Sequence, residues 1–411
     1  MERRVVITGL GAVSCAGNDV SSLWESLVSG RSGIGKITSF DDTGLPCPAG
    51  EVKDFSLPGT PPKEVRRMSR NTRFAVGASD EAMKQAQLTG PVPEPFRFGV
   101  LFSSGAGGVE VYDQNAEILE KRGPDGVSPF FIPKYMPNGA GAALAIRWGL
   151  KGPNFSPASA CASSAHAVGE GAWMIRRGDA DLMLAGGTEA CLTRLMTGGF
   201  NALTALSRTA PPEKACRPFD RDRDGFVLAE GAACLVLEEL EHAKRRGAGI
   251  IAEVAGYGSS CDGMHLTSPD PSGAGIAYAI GRAMETANVT PETVKAVYAH
   301  GTGTILNDRV EARALQSVFG PALETVKVCA VKSMIGHALA ASGALASVAA
   351  AQTLRTGILP PTINYSTFDP ECPLDVNPSG PCRVDTGAVL IDALGFGGHN
   401  AALILKKWEG K

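Results

Sequence analysis

Gly231-Ala232-Ala233-Cys234-Leu235-Val236-Leu237-Glu238 near the middle of the chain reads like Asn400-Ala401-Ala402-Leu403-Ile404-Leu405-Lys406 at its end, and each run follows a glycine-bearing turn. A second echo joins Asn154 to Ser163 with Lys327 to Gly336. Both read as a strand that delivers a reactive residue to a turn before an alanine-rich helix. Self-similarity at this scale points to a duplicated α/β unit. The seam is expected near residue 250, after the charged stretch from Glu238 to Arg246, which divides the chain into halves 1–250 and 251–411.

Working outward, short β-branched runs alternate with alanine-rich stretches of helical character. This is the pattern of α/β layers on buried, mostly parallel strands. Strands are expected at Val5 to Thr8, Phe98 to Phe102, Leu182 to Ala185, Ala233 to Leu237, Ile251 to Val254, Val294 to Tyr298, Val326 to Ala330, Val389 to Ala393 and Ala402 to Leu405. Residues 103–140 and 256–275 are poor in strand signal and rich in Gly, Pro and Ser, so they read as loops around a site or a subunit contact.

With 411 residues the chain exceeds one ordinary hydrophobic core and can bury a site completely. Its composition is 44% hydrophobic and 20% charged with a net charge of -3, which fits a globular protein and argues against a nucleic-acid-coating chain. Its ten cysteines show no CxxC pair and no metal-ligand spacing. Reduced thiols in a cytoplasmic setting are expected. The start, Met-Glu-Arg-Arg, runs directly into Val5-Val6-Ile7-Thr8, so no signal peptide is expected, and no apolar run reaches the roughly 18 residues of a membrane span.

Four motifs carry chemistry. In Ser156-Pro157-Ala158-Ser159-Ala160-Cys161-Ala162-Ser163, small neighbours would let a thioester approach the sulfur. If Cys161 begins a helix, the dipole favours thiolate and free N–H groups can hold an oxyanion. Alone, Cys161 reads equally well as an inert buried thiol. Ala299-His300-Gly301-Thr302-Gly303-Thr304 follows an apolar strand and suits a polar ligand at a strand's carboxyl end; it lacks the Lys of a phosphate loop. Val331-Lys332-Ser333-Met334-Ile335-Gly336-His337 repeats that role, so two imidazoles can converge on one thiol. Zinc is the rival use of Cys plus two His, but it wants four ligands in tight pairs. Leu394-Gly395-Phe396-Gly397-Gly398-His399-Asn400 reads either as a plain turn between strands or as an N–H donor with a mobile aromatic gate.

Together these motifs, with Ile7-Thr8-Gly9-Leu10-Gly11 and Phe219-Asp220-Arg221-Asp222-Arg223-Asp224-Gly225-Phe226, resemble the β-ketoacyl-acyl carrier protein synthases, synthase II/I branch, of the thiolase-like superfamily. The resemblance implies an αβαβα layered fold, a homodimer, and decarboxylative condensation of acyl- and malonyl-carrier proteins (acyl-ACP and malonyl-ACP). No metal or organic cofactor is implied. Cys161 would carry the acyl chain and His300 and His337 would hold the malonyl thioester oxygen. Lys332 would order the electrostatics, and the N–H groups of Cys161 and Phe396 would form an oxyanion hole, with the Phe396 ring as gate. Thr302 and Thr304 match threonines that touch the pantetheine arm, Asp308 and Glu311 match supporting acids, and Lys63, Arg66, Arg67 and Arg208 match the carrier docking patch. Without the resemblance that basic cluster reads as a solvated helix face.

Two departures stand out. Nine residues after His337, where the family usually carries a glutamate that partners the lysine and a nearby ion site, this chain has Ala346, which takes away that support for the ion and leaves Lys332 in need of another partner, with Glu311 the candidate. Ala106 stands where synthase II enzymes often have a bulky aliphatic residue, so the pocket, also lined by Phe200, is expected to admit long or unusual chains. Beside the fatty-acid reading stand a ketosynthase of a polyketide or polyene pathway and a non-catalytic chain-length-factor type of subunit. The last would have lost the nucleophile that this chain keeps.

Overall fold

The computed structural model describes residues 3–45 and 47–410. Ten strands form the main sheet: β1 Val5–Ser14, β2 Phe98–Ser103, β3 Asn154–Phe155, β4 Leu182–Glu189, β5 Gly231–Glu239, β6 Ala252–Cys261, β7 Val294–Tyr298, β8 Lys327–Cys329, β9 Ala388–Gly395 and β10 His399–Lys407. They lie in the order β8-β7-β9-β10-β6-β1-β5-β4-β2-β3. Every strand expected from sequence is present, most of them longer than expected. The strand read at the start of the Asn154 to Ser163 echo is the two-residue β3.

From the first strand of each half, the same spatial order recurs: β3-β2-β4-β5-β1 in one, β8-β7-β9-β10-β6 in the other. They meet where β1 pairs with β6, Val6 opposite Glu253 and Ile7 opposite Ala252. We read the division near residue 250 as the boundary between two copies of one unit. The same packing device appears in both. A Cβ on Gly9 or Gly11 of β1 would stand 2.1 or 1.8 Å from the carbonyl oxygens of Ala82 and Ala78, on helix α1 (Arg70–Gln85). On β6, Gly256 and Gly258 likewise make room for the Ala283 and Ala279 carbonyls of helix α3 (Ala274–Ala287), at 2.0 and 2.1 Å. Glycine on the strand lets each outer helix lie flush against its sheet.

Between the two halves of the sheet run α2 (Ser163–Arg177) and α5 (Ser342–Thr356), with α4 (Ile305–Phe319) beside α3 on the outside. Alanines and glycines on α2 and α5 allow strands to press on them from both sides, and α5 is buried from Ser342 through Leu354. One apolar core fills this middle layer, and a separate core lies under each outer helical layer. The result is the five-layer αβαβα order.

Three expectations need correction. The strands are not mostly parallel: β2 runs parallel to β3 and β4, and β7 to β8 and β9, but β1, β5, β6 and β10 make antiparallel pairings. The tight β9–β10 connection through Gly397 (φ +87°) and Gly398 (φ +77°) forces reversal of direction. Residues 103–140 are largely helical, including Val109–Arg122, which an exposed Glu117–Lys121 pair supports at one-turn spacing. Residues 256–261 continue β6, and only the stretch after Cys261 is loop.

Candidate active site

Cys161 sits in a single 3₁₀ turn, Ala160–Ala162, from which α2 springs. Ala160 takes φ +50°, a conformation disfavoured for a residue with a Cβ, and this turns the thiol out of the layer. The Ser163 hydroxyl locks the bend by accepting from Ser159 N at 2.8 Å and donating to the Ala160 carbonyl at 2.6 Å. The second half repeats the arrangement, with Leu339 at φ +44° in the turn that leads into α5.

His300 and His337 follow β7 and β8, as expected. The sulfur of Cys161 and one ring nitrogen from each histidine lie within 4.8 Å of one another. The two rings meet edge to face with centroids 5.3 Å apart, and Phe226 packs edge-on against His337 at the same distance. Lys332 Nζ donates to the His300 carbonyl at 2.5 Å and stands 3.4 Å from Nδ1. His337 Nδ1 is 2.9 Å from the Ser342 hydroxyl. Donation from the Lys332 ammonium and the Ser342 hydroxyl to the two Nδ1 atoms would leave each ring with its proton on Nε2.

Burial holds both imidazoles well below the usual histidine pKa, and the Lys332 charge pushes them further down, so both are neutral at pH 7. Burial also lowers the Lys332 pKa, opposed first by Glu311. The Cys161 thiol does not follow the expectation from a helix terminus. Desolvation raises it to about 11 despite Lys332 and the backbone N–H groups of Phe396 and Cys161, which favour the thiolate. Burial outweighs the backbone field at this depth. The same three ligating side chains are the one group of potential metal donors gathered among the described residues. The Lys332 ammonium beside His300 opposes a cation there.

A cavity of about 500 Å³ opens onto this cluster. Its wall includes Cys161, His300, His337, Phe396, Thr302, Thr304, Ala106 and Phe200. The Thr302 and Thr304 hydroxyls are 2.9 Å apart. Phe200 stacks edge-on with Phe226 at 5.3 Å, giving the cavity an aromatic side. Phe396 occupies the β9–β10 turn, half-buried, and Gly397 N donates to the Leu266 carbonyl, which ties the turn to the loop after β6.

The remaining expected residues stand behind or away from the cavity. Asp308 is buried and accepts from Phe219 N at 2.7 Å and Gly303 N at 3.2 Å, with Arg223 3.5 Å away. Glu311 accepts from Gly301 N at 2.8 Å. These acids shape the His300–Thr304 loop from below. Lys63, Arg66, Arg67 and Arg208 are all exposed, with Arg67 over the Phe130 ring and Arg208 bonded to Asn201.

Sequence reasoning missed Glu189, Ser342 and Asp392. Glu189 accepts from Ser104 Oγ, Gly105 N and Ala106 N, and so fixes Ala106 on the cavity wall. Asp392 accepts from His300 N at 2.7 Å. Its signal was available: an acid inside the apolar run Val389 to Ala393 of a buried strand.

Comparison with known proteins fits this geometry. Residues 2–243 match the family model described as beta-ketoacyl synthase, N-terminal domain, and residues 251–366 match beta-ketoacyl synthase, C-terminal domain. The chain is 44% identical over 409 residues to 3-oxoacyl-[acyl-carrier-protein] synthase 2 of Staphylococcus aureus (strain COL), covering 99% of both. A beta-ketoacyl synthase from Burkholderia phymatum superimposes with a TM-score of 0.92 at 35% identity, over 99% of this chain and 100% of that one. A ketosynthase structure solved with its type II PKS acyl-carrier protein and bound to a hexaketide gives a TM-score of 0.91 at 33% identity, over 100% of both chains.

Proposed function

The chain belongs to the β-ketoacyl synthase family, and on that premise we propose how its own residues carry out the reaction. It is an acyltransferase of the 3-oxoacyl-ACP synthase type, a condensing enzyme of fatty-acid elongation whose partner is an acyl carrier protein. The fold is thiolase-like. The observation that carries the mechanism is the convergence of one thiol and two neutral imidazoles within 4.8 Å at the head of an apolar cavity.

In the first half-reaction Cys161 reacts as the thiolate, its proton released to solvent in the open cavity, and attacks the acyl thioester of acyl-ACP. The new S–C bond forms, the carbonyl oxygen takes the negative charge, and the N–H groups of Cys161 and Phe396, which favour negative charge at the sulfur, hold it. Collapse expels the carrier thiolate, which takes up a proton from solvent. In the second half-reaction the Nε2–H groups of His300 and His337 hold the thioester oxygen of malonyl-ACP. The C–COO⁻ bond breaks, carbon dioxide leaves, and the electron pair becomes an enolate stabilised by those two donors. The carbanion attacks the acyl carbon, and Cys161 leaves as thiolate and is reprotonated. The product is longer by two carbons. All electrons are accounted for within the substrates, so the steps call for no redox cofactor.

Lys332 acts through His300 rather than on the substrate. Thr302 and Thr304 suit the pantetheine arm, and Lys63, Arg66, Arg67 and Arg208 suit the acidic carrier protein. A homodimer is supported by exposed apolar side chains between residues 109 and 155, including Phe130, Ile132, Met136 and Ile146, next to the open edge strand β3, which carries exposed Phe155. No described helix is long and apolar enough to cross a membrane.

The test is condensation itself. With acyl-ACP and malonyl-ACP the protein is expected to release carbon dioxide and yield a β-ketoacyl-ACP two carbons longer. Carbon dioxide release without an elongated product, or no reaction with either carrier species, would overturn the reading.

A further inference from the structure

Behind His300, away from the cavity, the fold places two carboxyl groups against each other. Asp392 comes from β9 and Glu311 from α4, with relative exposures of 2% and 0%. Asp392 Oδ1 accepts from His300 N at 2.7 Å. Glu311 Oε2 accepts from Gly301 N at 2.8 Å and from Asn307 Nδ2 at 3.1 Å. The two remaining oxygens, Asp392 Oδ2 and Glu311 Oε1, are sealed from solvent and have no other donor. The two side chains act on each other, and with no donor on either free oxygen a pair of sealed carboxylates would repel, so the arrangement calls for a proton on one of them.

On the other side of the same loop stands Lys332, buried, with its ammonium on the His300 carbonyl and near Nδ1. A buried cation needs a compensating charge nearby. The residue nine positions past His337, glutamate by family resemblance, is Ala346 here. Taking the proposed function as given, we propose that Asp392 and Glu311 form one unit holding one proton and one negative charge, and that this unit balances Lys332 and fixes the His300 imidazole for malonyl decarboxylation. Asp392 is thereby a positioning residue, supplying from β9 the charge that α5 does not.

The environment assigns the proton to Glu311. Burial, then the charges of Asp392 and Asp308, push its carboxyl well above the usual range. Burial pushes Asp392 only to about 6, because the bonds from Glu311 and His300 N and the Lys332 charge favour its ionised form. Other titratable groups around the pair are the Asp308 carboxyl, itself facing Arg223, the neutral His300 and His337, and the Cys161 and Cys216 thiols that face Lys332. Below about pH 6 the pair loses its charge and Lys332 stands uncompensated, so decarboxylation should fade as pH falls through that point.

The test compares the native enzyme with Asp392→Asn, Glu311→Gln and the double variant. Acyl loading of Cys161 is read by intact mass, and kcat and KM for malonyl-ACP decarboxylation are read across pH. Loading is expected in all four proteins, which verifies their fold. Each single variant should lose about tenfold in kcat, because the remaining carboxyl takes over the charge. The double variant should lose about a thousandfold, more than the product of the singles, with KM little changed. The acid limb should move upward in Asp392→Asn, where Glu311 must carry the charge, and stay near its native position in Glu311→Gln. Native enzyme at neutral pH should show the infrared band of a buried protonated carboxyl, and its rate should be unchanged when tetramethylammonium replaces potassium. Strictly multiplicative losses, an unmoved acid limb in Asp392→Asn, absence of the carboxyl band, or dependence on a metal cation would each overturn the proposal. Native enzyme that fails to load acyl groups at all would instead overturn the function on which the proposal rests.

Discussion

The imidazole of His300 meets that of His337 edge to face at 5.3 Å, although the two arrive on different strands, β7 and β8. The contact sets the two rings side by side, with one nitrogen of each within 4.8 Å of the Cys161 sulfur. Replacing either histidine with alanine should therefore spare acyl loading and cut malonyl decarboxylation by about a hundredfold or more, the typical cost of one oxyanion donor. Intact mass measures the first step and carbon dioxide release the second. Equal loss of both steps would contradict the division of labour.

Burial raises the Cys161 thiol to about 11, and the thiolate is the form that reacts with an alkylating agent. Iodoacetamide labelling of Cys161 should climb about tenfold per pH unit through pH 9 without levelling, because the thiolate fraction keeps rising below the thiol's pKa. Mass-resolved labelling rates against pH check this, and a plateau at neutral pH would contradict it.

Ala106 lines the cavity and is held there by Glu189. An Ala106→Ile substitution should leave short acyl chains loading normally and slow those above about ten carbons, a rough depth for a pocket of this class. Competition between acyl carriers of graded length reads the ratio. If the native enzyme already turns over long chains far more slowly than short ones, the open-pocket reading is wrong.

Gly11 has no room for a methyl group, since its Cβ would stand 1.8 Å from the Ala78 carbonyl. Gly11→Ala should lower stability by about 3 kcal/mol, the upper end of ordinary overpacking costs. Gly35→Ala, where nothing lies within 4 Å, is the matched control. Denaturant midpoints compare the two.

Most of the layered fold could be read from sequence because its strands are short apolar runs with glycine at their ends, and burial on both faces leaves little else that Val294 to Tyr298 or Ala233 to Leu237 could do. Strand direction was less legible: it depends on which strands become neighbours, and local pattern does not reveal that. The Val109–Arg122 helix was hidden because its charged face resembles a loop. Cys161, His300 and His337 stood out through their shared setting at turns after strands. Asp392 did not, since its importance comes from Glu311 and Lys332, which reach it from α4 and from the turn after β8. The about 11 of the Cys161 thiol was equally out of reach, because burial depth is a property of the assembled layers.

The central claim is that the acyl group passes through a covalent bond to Cys161. Intact-mass analysis after incubation with an acyl carrier protein tests it most directly. Native protein should gain the mass of one acyl group and Cys161→Ala should gain none. A native protein that stays unmodified, or an adduct that survives in the alanine variant, would contradict the account.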